Sequence, residues 1–435
     1  MKICSLDIKG YKQFQDTYID FTDPKTGEPA DKICLIGKNG TGKTTVLKIL
    51  NNFLKKNYFD ENNINSYFLI TIKIENNFYC VMYYEINHLL KFIKYYHYNE
   101  KVIEFFKNLG NSKNFDFNQI SNFELAGNQI EFLNSQYDTE KLDLIIFSPS
   151  ETTNNQLINI NDVPKTSLND ALQLFKNFPV YHEVSDQNIQ NFWNLLIYLI
   201  KKRDEEQQFF ENKPENLSKT KRELLAEFEK INPKILDKIA ILWNKILDKA
   251  GLEFDVENAS NPIQLTDNLK AYIRLKGTKE NIPYSELSTG IRNFIFRVGH
   301  IFSLYFNREV ENGFLLLDEP ENSLFPDFLF ELMETYQNIV IDKNGNNNTQ
   351  IFMTTHNPIV AAQFEPHERI ILEWEDNGTV KAHKGKTPAG DDPNDILKND
   401  FGLENLMGKK GLQMWNEYLT LKQNLRKTTN DKEKL

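Results

Sequence analysis

The N-terminal part of the chain places short apolar runs between polar stretches, in a pattern typical of strands that lead into a helix. Residues 3–8 and 18–21 form two apolar runs of strand length, and residues 32–36 (KICLI) form a third that ends at Gly37. Beyond them, the apolar residues recur at helical spacing and share one face: Val46, Leu47, Leu50, Phe53 and Leu54. This part of the chain therefore predicts a strand, a glycine-rich loop and a helix, in that order.

A β-like segment and a helical segment follow. Two apolar runs between residues 68 and 98 flank residues 75–77, which predicts a hairpin, and residues 142–147 (LDLIIF) predict another buried strand. Residues 165–250 carry apolar positions at helical spacing but no sustained heptads. This pattern favours a compact group of helices over a long coiled-coil arm.

The α/β pattern returns after residue 269, with predicted strands at 314–317, 351–354 and 369–374 and a predicted helix at 325–340. The fold class expected from these patterns is α/β, with a compact helical insertion. We expect four parts, which are listed here in chain order: 1–160, 161–265, 266–400 and a C-terminal helix with a basic tail at 401–435.

The strongest chemical signal is the segment GKNGTGKT at residues 37–44, which has the spacing of a phosphate-binding loop. Its glycines let successive backbone N–H groups surround an anion, and the next helix directs its positive end toward that anion. We expect Lys43 to reach the β- and γ-phosphates and Thr44 to bind Mg²⁺. The candidate nucleotide-binding residues are Gly37, Asn39, Gly40, Gly42, Lys43, Thr44 and Thr45. The alternative, a chance match in a surface loop, is weakened by the strand before the loop and the helix after it.

A second signal is the segment FLLLDEPE at residues 314–321, in which an apolar strand ends in two acids. Strands of α/β sheets bring their ligands to this end, so Asp318 is expected to hold Mg²⁺ through water. Glu319 is expected to orient or deprotonate an attacking water. The alternative, that these acids cap the next helix, fits Glu321 better than Glu319.

Two further elements have both a functional and a structural interpretation. His356 ends the strand at residues 351–354 and could contact a γ-phosphate, although a single histidine often has no functional role. Ser288 and Gly290 lie in the segment ELSTGIR at the start of an apolar-periodic helix. They indicate either a second phosphate site or, for Ser288, a simple helix cap.

Taken together, these motifs resemble those of ABC-type ATPases: a Walker A loop, an LSxG element, a Walker B strand with Asp-Glu and a switch histidine. Asp318 follows Lys43 by 275 residues, a separation that is similar to the SMC and OLD-like branch and unlike hexameric AAA+ proteins. The resemblance implies an ABC-type P-loop head with a mixed sheet that binds ATP and Mg²⁺, with Glu319 and His356 as catalytic residues. It also places Tyr11 or Lys12 near the nucleotide and makes Gln156 the nearest candidate for the Q-loop residue.

In ABC-type ATPases one site is built by two subunits. The resemblance therefore implies that Ser288 and Gly290 of one chain face the nucleotide of another, in a homodimer or a higher homo-oligomer. Thr289, Ile291 and Phe325 depart from residues common in that branch. These departures bear on the rate of hydrolysis more than on nucleotide binding.

The run DEPENSLFP at 318–326, together with TTHNP at 354–358, is most similar to the ATPases of bacterial anti-phage systems such as Septu (PtuA) and PARIS (AriA). The closing segment at 391–402 resembles them as well. We find neither an HNH pattern nor room for a TOPRIM nuclease after residue 374, so we expect a separate effector protein, a nuclease or a toxin.

Composition narrows the alternatives. The chain has 51 basic and 61 acidic side chains, a net charge of −10, so a surface that is basic throughout is excluded and only a local DNA groove is possible. Basic residues at 201–222 are interspersed with acids, which favours a solvated helix face. An SMC-like DNA-binding or repair protein remains the alternative, and a transporter subunit is a weaker one.

The expected location is the cytoplasm. We see no signal peptide at the N-terminus, and the longest apolar stretch, residues 195–200, is too short to span a membrane. The three cysteines, Cys4, Cys34 and Cys80, form no CxxC pair, which fits a reducing compartment.

Overall fold

A computed structural model describes most of the chain. The described residues are 1–55, 66–86, 90–98, 100–109, 144–150, 180–185, 189–255, 273–282, 286–308, 312–341 and 347–432. The predicted Q-loop candidate, Gln156, lies outside these ranges.

The strands are β1 (Lys2–Tyr11), β2 (Phe14–Asp20), β3 (Lys32–Gly37), β4 (Tyr67–Ile74), β5 (Asn77–Ile86), β6 (Leu90–His97), β7 (Leu144–Ser148), β8 (Tyr181–Glu183), β9 (Leu252–Phe254), β10 (Ile273–Leu275), β11 (Asn281–Ile282), β12 (Asn312–Asp318), β13 (Asn348–Thr354), β14 (Arg369–Trp374) and β15 (Val380–Lys384). The α-helices are α1 (Lys43–Leu54), α2 (Glu100–Leu109), α3 (Ile189–Glu211), α4 (Lys221–Ile231), α5 (Ile235–Leu247), α6 (Thr289–Arg308), α7 (Pro326–Leu329), α8 (Leu332–Val340), α9 (Pro358–Ala361), α10 (Pro393–Asn399) and α11 (Lys409–Lys432). Short 3-10 helices cover Pro214–Asn216 and Asp248–Ala250.

The main sheet is mixed. Among the described strands it has the order β15-β14-β3-β13-β12-β7-β8, parallel throughout except for the antiparallel edge strand β15. The central strands β3, β12 and β13 each contain a run of consecutive buried apolar residues, because both faces of the sheet are covered. The expected α/β fold with a mixed sheet is confirmed. Strand β13, which leads to His356, lies between β3 and β12. It therefore separates the end of β3, where the glycine loop begins, from the end of β12, which carries the acids.

A second sheet packs beside the first. Its described strands run antiparallel in the order β2-β1-β4-β5-β6, and the predicted hairpin at residues 75–77 is confirmed between β4 and β5. The backbone N–H of Val380 in β15 donates to the carbonyl of Gln13 at 3.1 Å, and the hydroxyl of Thr17 donates to the carbonyl of Val380 at 2.5 Å. The turn between β1 and β2 is thereby held against the edge of the main sheet.

Two hydrophobic cores cover the faces of the main sheet. One lies under α1 and the antiparallel sheet, and the other is formed by α3, α5, α6 and α8. Helices α3 and α5 of the predicted insertion therefore share a core with α6. The predicted helix at 325–340 is interrupted and forms α7 and α8, since Phe330 and Glu331 separate the two.

The cysteines and the C-terminal helix lie at opposite extremes of exposure. Cys4, Cys34 and Cys80 are free thiols and are all buried. Burial raises the pKa of Cys4 and of Cys80 to about 12. Helix α11, by contrast, exposes apolar side chains such as Met414, Trp415 and Leu421. Within the described ranges, no helix combines the length and the apolar character needed to cross a bilayer.

Candidate functional site

The glycine loop joins β3 to α1, as predicted, and close packing explains its glycines. A Cβ on Gly37 would meet the carbonyl oxygen of Leu372 and would lie 2.7 Å from the hydroxyl of Thr41. Gly42 has a φ of +98°, and a Cβ there would lie 2.5 Å from Cζ of Phe14. The first N–H groups of α1, from Lys43 onward, have no intrahelical acceptor and face the concave side of the loop with the positive end of the helix dipole. The loop is thus a ready-made anion site.

Lys43 is held across this loop. Its Nζ donates to the carbonyl oxygen of Gly37 at 3.0 Å, so the amine lies within the turn where an anion is expected. Burial lowers the pKa of Lys43, while the nearby carboxylates of Glu319, Asp318 and Glu321 oppose that shift. The ammonium therefore lies between the glycine loop and a cluster of acids.

Thr44 and Asp318 meet across the sheet, although they are far apart in sequence. The hydroxyl of Thr44 lies 3.0 Å from each carboxylate oxygen of Asp318. Asp318 is almost fully buried, and its Oδ1 also accepts a 2.6 Å hydrogen bond from the hydroxyl of Thr354 at the end of β13. One hydroxyl and one carboxylate, next to an anion site, are the donor set that Mg²⁺ uses when substrate phosphates and water complete its shell. The residues present therefore fit magnesium.

Glu319 follows Asp318 in a strained backbone conformation, with a φ of +44°. Its backbone N–H donates to the carbonyl oxygen of Thr354 at 3.2 Å and to the Thr354 hydroxyl at 3.0 Å. The side chain is 25% exposed, and its Oε1 lies 3.4 Å from Nδ1 of His356, which is 52% exposed. Strain of this kind is kept where the surrounding structure holds a functional side chain in place. The predicted pair Glu319 and His356 is thus brought together.

Glu321 does not cap the next helix, so that interpretation is wrong. Helix α7 begins after Phe325 without a side-chain cap. Glu321 instead turns inward and accepts hydrogen bonds from Thr355 and from the backbone N–H of His356. The apolar strand and its acids predicted a ligand site here, but no local pattern indicated that the third acid would be buried.

The start of α6 shows the helix cap that the sequence offered for Ser288, and the second phosphate site at Ser288 and Gly290 stays a prediction. The Ser288 hydroxyl accepts a 3.4 Å hydrogen bond from the backbone N–H of Ile291, so it caps the helix. A Cβ on Gly290 would meet the carbonyl of Ser323 and lie 3.1 Å from the backbone nitrogen of Leu324. Within the described residues, no hydrogen bond joins Ser288 to the glycine loop of its own chain.

The turn between β1 and β2 supplies a residue that sequence reasoning missed. Gln13 donates from Nε2 to the carbonyl oxygen of Gly40 at 3.2 Å. Of the two residues expected near the nucleotide, Tyr11 packs its ring against Phe68 with the centroids 5.1 Å apart, and Lys12 lies over the Tyr11 ring. The one sequence signal that could have indicated this contact is the position of Gln13, a polar residue between the two predicted N-terminal strands. Asn39 and Gly40 form the exposed tip of the loop.

Trp374 adds a second unpredicted neighbour of the loop tip. It ends β14, and its ring lies 3.7 Å from the position of a Cβ on Gly40. The strand prediction at 369–374 is confirmed, but the pairing of β14 with β3 that brings this ring to the loop could not be read from the sequence.

One of the comparisons with known proteins shows the family of this chain. None of the curated proteins matches the chain. Among solved structures, the SMC head domain from Thermotoga maritima is similar at 13% identity and a TM-score of 0.41, over 89% of this chain and 100% of that one. The family model described as AAA ATPase domain matches residues 1–361, which include the glycine loop, the Asp318–Glu319 pair and His356. The chain therefore belongs to the AAA ATPase domain family.

Proposed function

We propose that this protein is an ABC-type switch that binds and hydrolyses ATP. The observation that carries the proposal is the contact between Thr44 and Asp318, with Oγ1 3.0 Å from both carboxylate oxygens. This contact joins the glycine loop to the acid-bearing strand and leaves Glu319 and His356 beside it. A family in which ATP is the substrate gives this geometry its chemistry.

Each group has a distinct role in the proposed reaction. The backbone N–H groups of the loop and the ammonium of Lys43 hold the phosphate oxygens and offset their charge. Thr44 and Asp318 would hold Mg²⁺, which would supply positive charge to the phosphate oxygens. Glu319 accepts a proton from the attacking water, and His356 stands next to it to orient the water or contact the terminal phosphate.

We further propose that Ser288 and Gly290 complete the site of a second copy. Ser288 is exposed at the start of a 20-residue helix, so its hydroxyl can donate to a partner's phosphate at the positive end of the helix dipole. ATP then lies between two chains, and hydrolysis releases them. In the proposed division, residues 1–160 and 266–400 form the ATPase head and residues 161–265 an inserted helical part.

The test is the native mass of the Glu319→Gln protein with and without ATP and Mg²⁺. Loss of the general base is expected to lower kcat by about 10²-fold or more while ATP still binds. The variant is therefore expected to accumulate as an ATP-dependent dimer. Glu404→Gln, at an exposed position, is the matched control and is expected to turn over like the wild type. Wild-type turnover by Glu319→Gln excludes the role given to Glu319.

We propose that the output is anti-phage defence in the cytoplasm, with this chain as the sensor or regulator of a separate nuclease or toxin. The support is the motif resemblance at residues 318–326, 354–358 and 391–402. Co-expression of Glu319→Gln with the products of neighbouring genes tests this role. A stable heteromeric particle supports it, and an ATP-dependent homodimer that takes up no neighbour contradicts it.

A second candidate is an SMC-like, ATP-gated DNA-binding protein. The C-terminal segment favours it, because residues 405–435 contain seven basic and three acidic side chains in sequence, and Trp415 and Tyr418 of helix α11 are exposed. Retention on DNA that weakens steeply as salt rises would support this function. Equal retention at low and high salt, or none at all, would exclude it.

A further inference from the structure

Glu321 is a buried carboxylate next to the proposed catalytic pair, and the mechanism above gives it no role. Glu321 is only 4% exposed. Asp318 and Glu319, on the same turn, already supply the acids that the proposed reaction needs. One of its oxygens, Oε1, accepts a hydrogen bond from the hydroxyl of Thr355 and a second one, at 3.2 Å, from the backbone N–H of His356. Both donors belong to the turn that follows β13.

The other oxygen of Glu321 has a different environment. Among the described residues, Oε2 is buried and has no hydrogen-bond partner. A buried ionised carboxylate with one unsatisfied oxygen is costly, and burial raises the pKa of Glu321. A neutral side chain of the same shape that accepts through one oxygen therefore suits this position.

These contacts connect Glu321 to the imidazole of His356. The Nδ1 atom of His356 lies 3.9 Å from Oε1 of Glu321 and 3.4 Å from Oε1 of Glu319. Because the backbone N–H of His356 donates to Glu321, this hydrogen bond fixes the backbone orientation of His356 in the turn after β13. The ring of His356 is 52% exposed, so its placement depends on this backbone anchor.

We propose that Glu321 is a positioning residue for ATP hydrolysis, which holds the Thr355–His356 turn so that the imidazole faces Glu319. This inference rests on the proposed function of Glu319 and His356. Among the described residues, no hydrogen bond or ion pair joins Glu321 to the glycine loop or to Thr44, so we infer that it acts through His356 and not through nucleotide binding. It also ties the turn after β12 to the turn after β13, so that the two keep one relative geometry.

The test is a double-mutant cycle with kcat and KM for ATP as the readouts. Glu321→Ala is expected to lower kcat by about 10²-fold, because a displacement of about 1 Å at a reacting group has that effect. The KM for ATP is expected to stay within about twofold, since no binding contact is removed. Glu321→Gln, which can still accept through its one oxygen, is expected to restore most of the wild-type kcat.

The cycle is completed by His356→Ala alone and in combination with Glu321→Ala. If Glu321 acts through His356, the double variant is no slower than His356→Ala. Losses that multiply overturn the inference, and so does a Glu321→Gln protein as slow as Glu321→Ala. Wild-type turnover by His356→Ala would instead show that His356 has no role in hydrolysis. The proposed role of His356 and the inference about Glu321 would then both fail.

Two further variants separate positioning from folding. Glu368 is a matched control, because it is also a buried carboxylate, 8% exposed, in the turn just before β14. Its ion pair is with Lys32, at the end of β3 opposite the glycine loop. Glu368→Ala is expected to lower the melting temperature and leave kcat unchanged. Thr355→Val removes one of the two donors and serves if Glu321→Ala does not fold. A kcat loss for Thr355→Val that persists in the His356→Ala background overturns the inference.

Discussion

Replacement of Gly42 by alanine tests whether close packing against the β1–β2 turn shapes the phosphate loop. The new Cβ would lie 2.5 Å from Cζ and 2.7 Å from Cε2 of Phe14, and would also meet the side-chain amide of Gln13. Phe14 is fully buried, so its ring has no space to move away. The loop itself, or the turn that carries Gln13 and Phe14, must therefore shift.

The size of the effect follows from three contributions. The left-handed φ of +98° costs about 1–2 kcal/mol for a residue with a Cβ. Crowding against a closely packed ring costs about 1–3 kcal/mol. Loss of the hydrogen bond from Gln13 to Gly40 costs about 1 kcal/mol. We expect a total of about 3–6 kcal/mol, most of it as distortion of the loop that binds phosphate.

A matched control isolates the packing contribution. Gly378, in the turn between β14 and β15, has a similar φ of +80°, but a Cβ there meets nothing within 4 Å. Gly378→Ala is expected to cost only the conformational part, about 1–2 kcal/mol, and to bind ATP normally. Both variants are compared by thermal denaturation and by titration with a fluorescent ATP analogue.

The expected result is a clear separation between the two glycines. Gly42→Ala should melt at a lower temperature than Gly378→Ala and should bind ATP at least about 10-fold more weakly, because 1.4 kcal/mol corresponds to a factor of ten. Equal melting temperatures and equal ATP affinities would show that Phe14 and Gln13 do not constrain the loop.

Three other predictions follow from the site and the core. Ser288→Arg is expected to abolish the ATP-dependent dimer, because it adds bulk only at the proposed partner surface, and to leave the ATP affinity of the single chain within about twofold of the wild type. Native mass and a nucleotide titration measure these two effects, and dimer formation by the variant would refute the role of Ser288. Asp318→Asn is expected to raise the magnesium concentration needed for ATP-induced thermal stabilisation by at least about tenfold, as an amide replaces the carboxylate beside Thr44; an unchanged requirement would exclude Asp318 as a ligand. Burial lowers the pKa of His300 to about 3, so the unfolded chain binds a proton below about pH 6.5 that the folded chain does not, and stability falls by up to about 1.4 kcal/mol per pH unit between those two values. His300→Leu is expected to make the urea midpoint of unfolding depend less on pH over that window. The same dependence of the midpoint on pH in both proteins would contradict this origin of acid sensitivity.

The elements that local patterns define were predictable, because their signals lie within a few consecutive residues. Strand β14 was predicted with its observed bounds, and the loop at residues 37–44 was predicted with its flanking strand and helix. The meeting of Thr44 with Asp318 also followed, since parallel strands of α/β sheets bring their carboxyl ends to one edge.

The features that were missed depend on contacts between distant segments. Gln13 reaches Gly40 because β15 holds the β1–β2 turn, and no pattern near residue 13 encodes that pairing. The inward turn of Glu321 depends on donors from Thr355 and His356, 34 and 35 residues further along the chain. The interruption between α7 and α8 was missed because the apolar periodicity continues through it.

The burial of every cysteine has a practical consequence for following this protein in motion. Maleimide and related reagents attack the thiolate, and thiols with a raised pKa inside the core react slowly with them. One cysteine introduced on an exposed surface away from the proposed partner surface, for example in place of Glu404 or of Met414, can therefore carry a fluorophore without prior removal of the native thiols. Energy transfer between two such labelled chains would then report their approach and separation during a single round of ATP turnover.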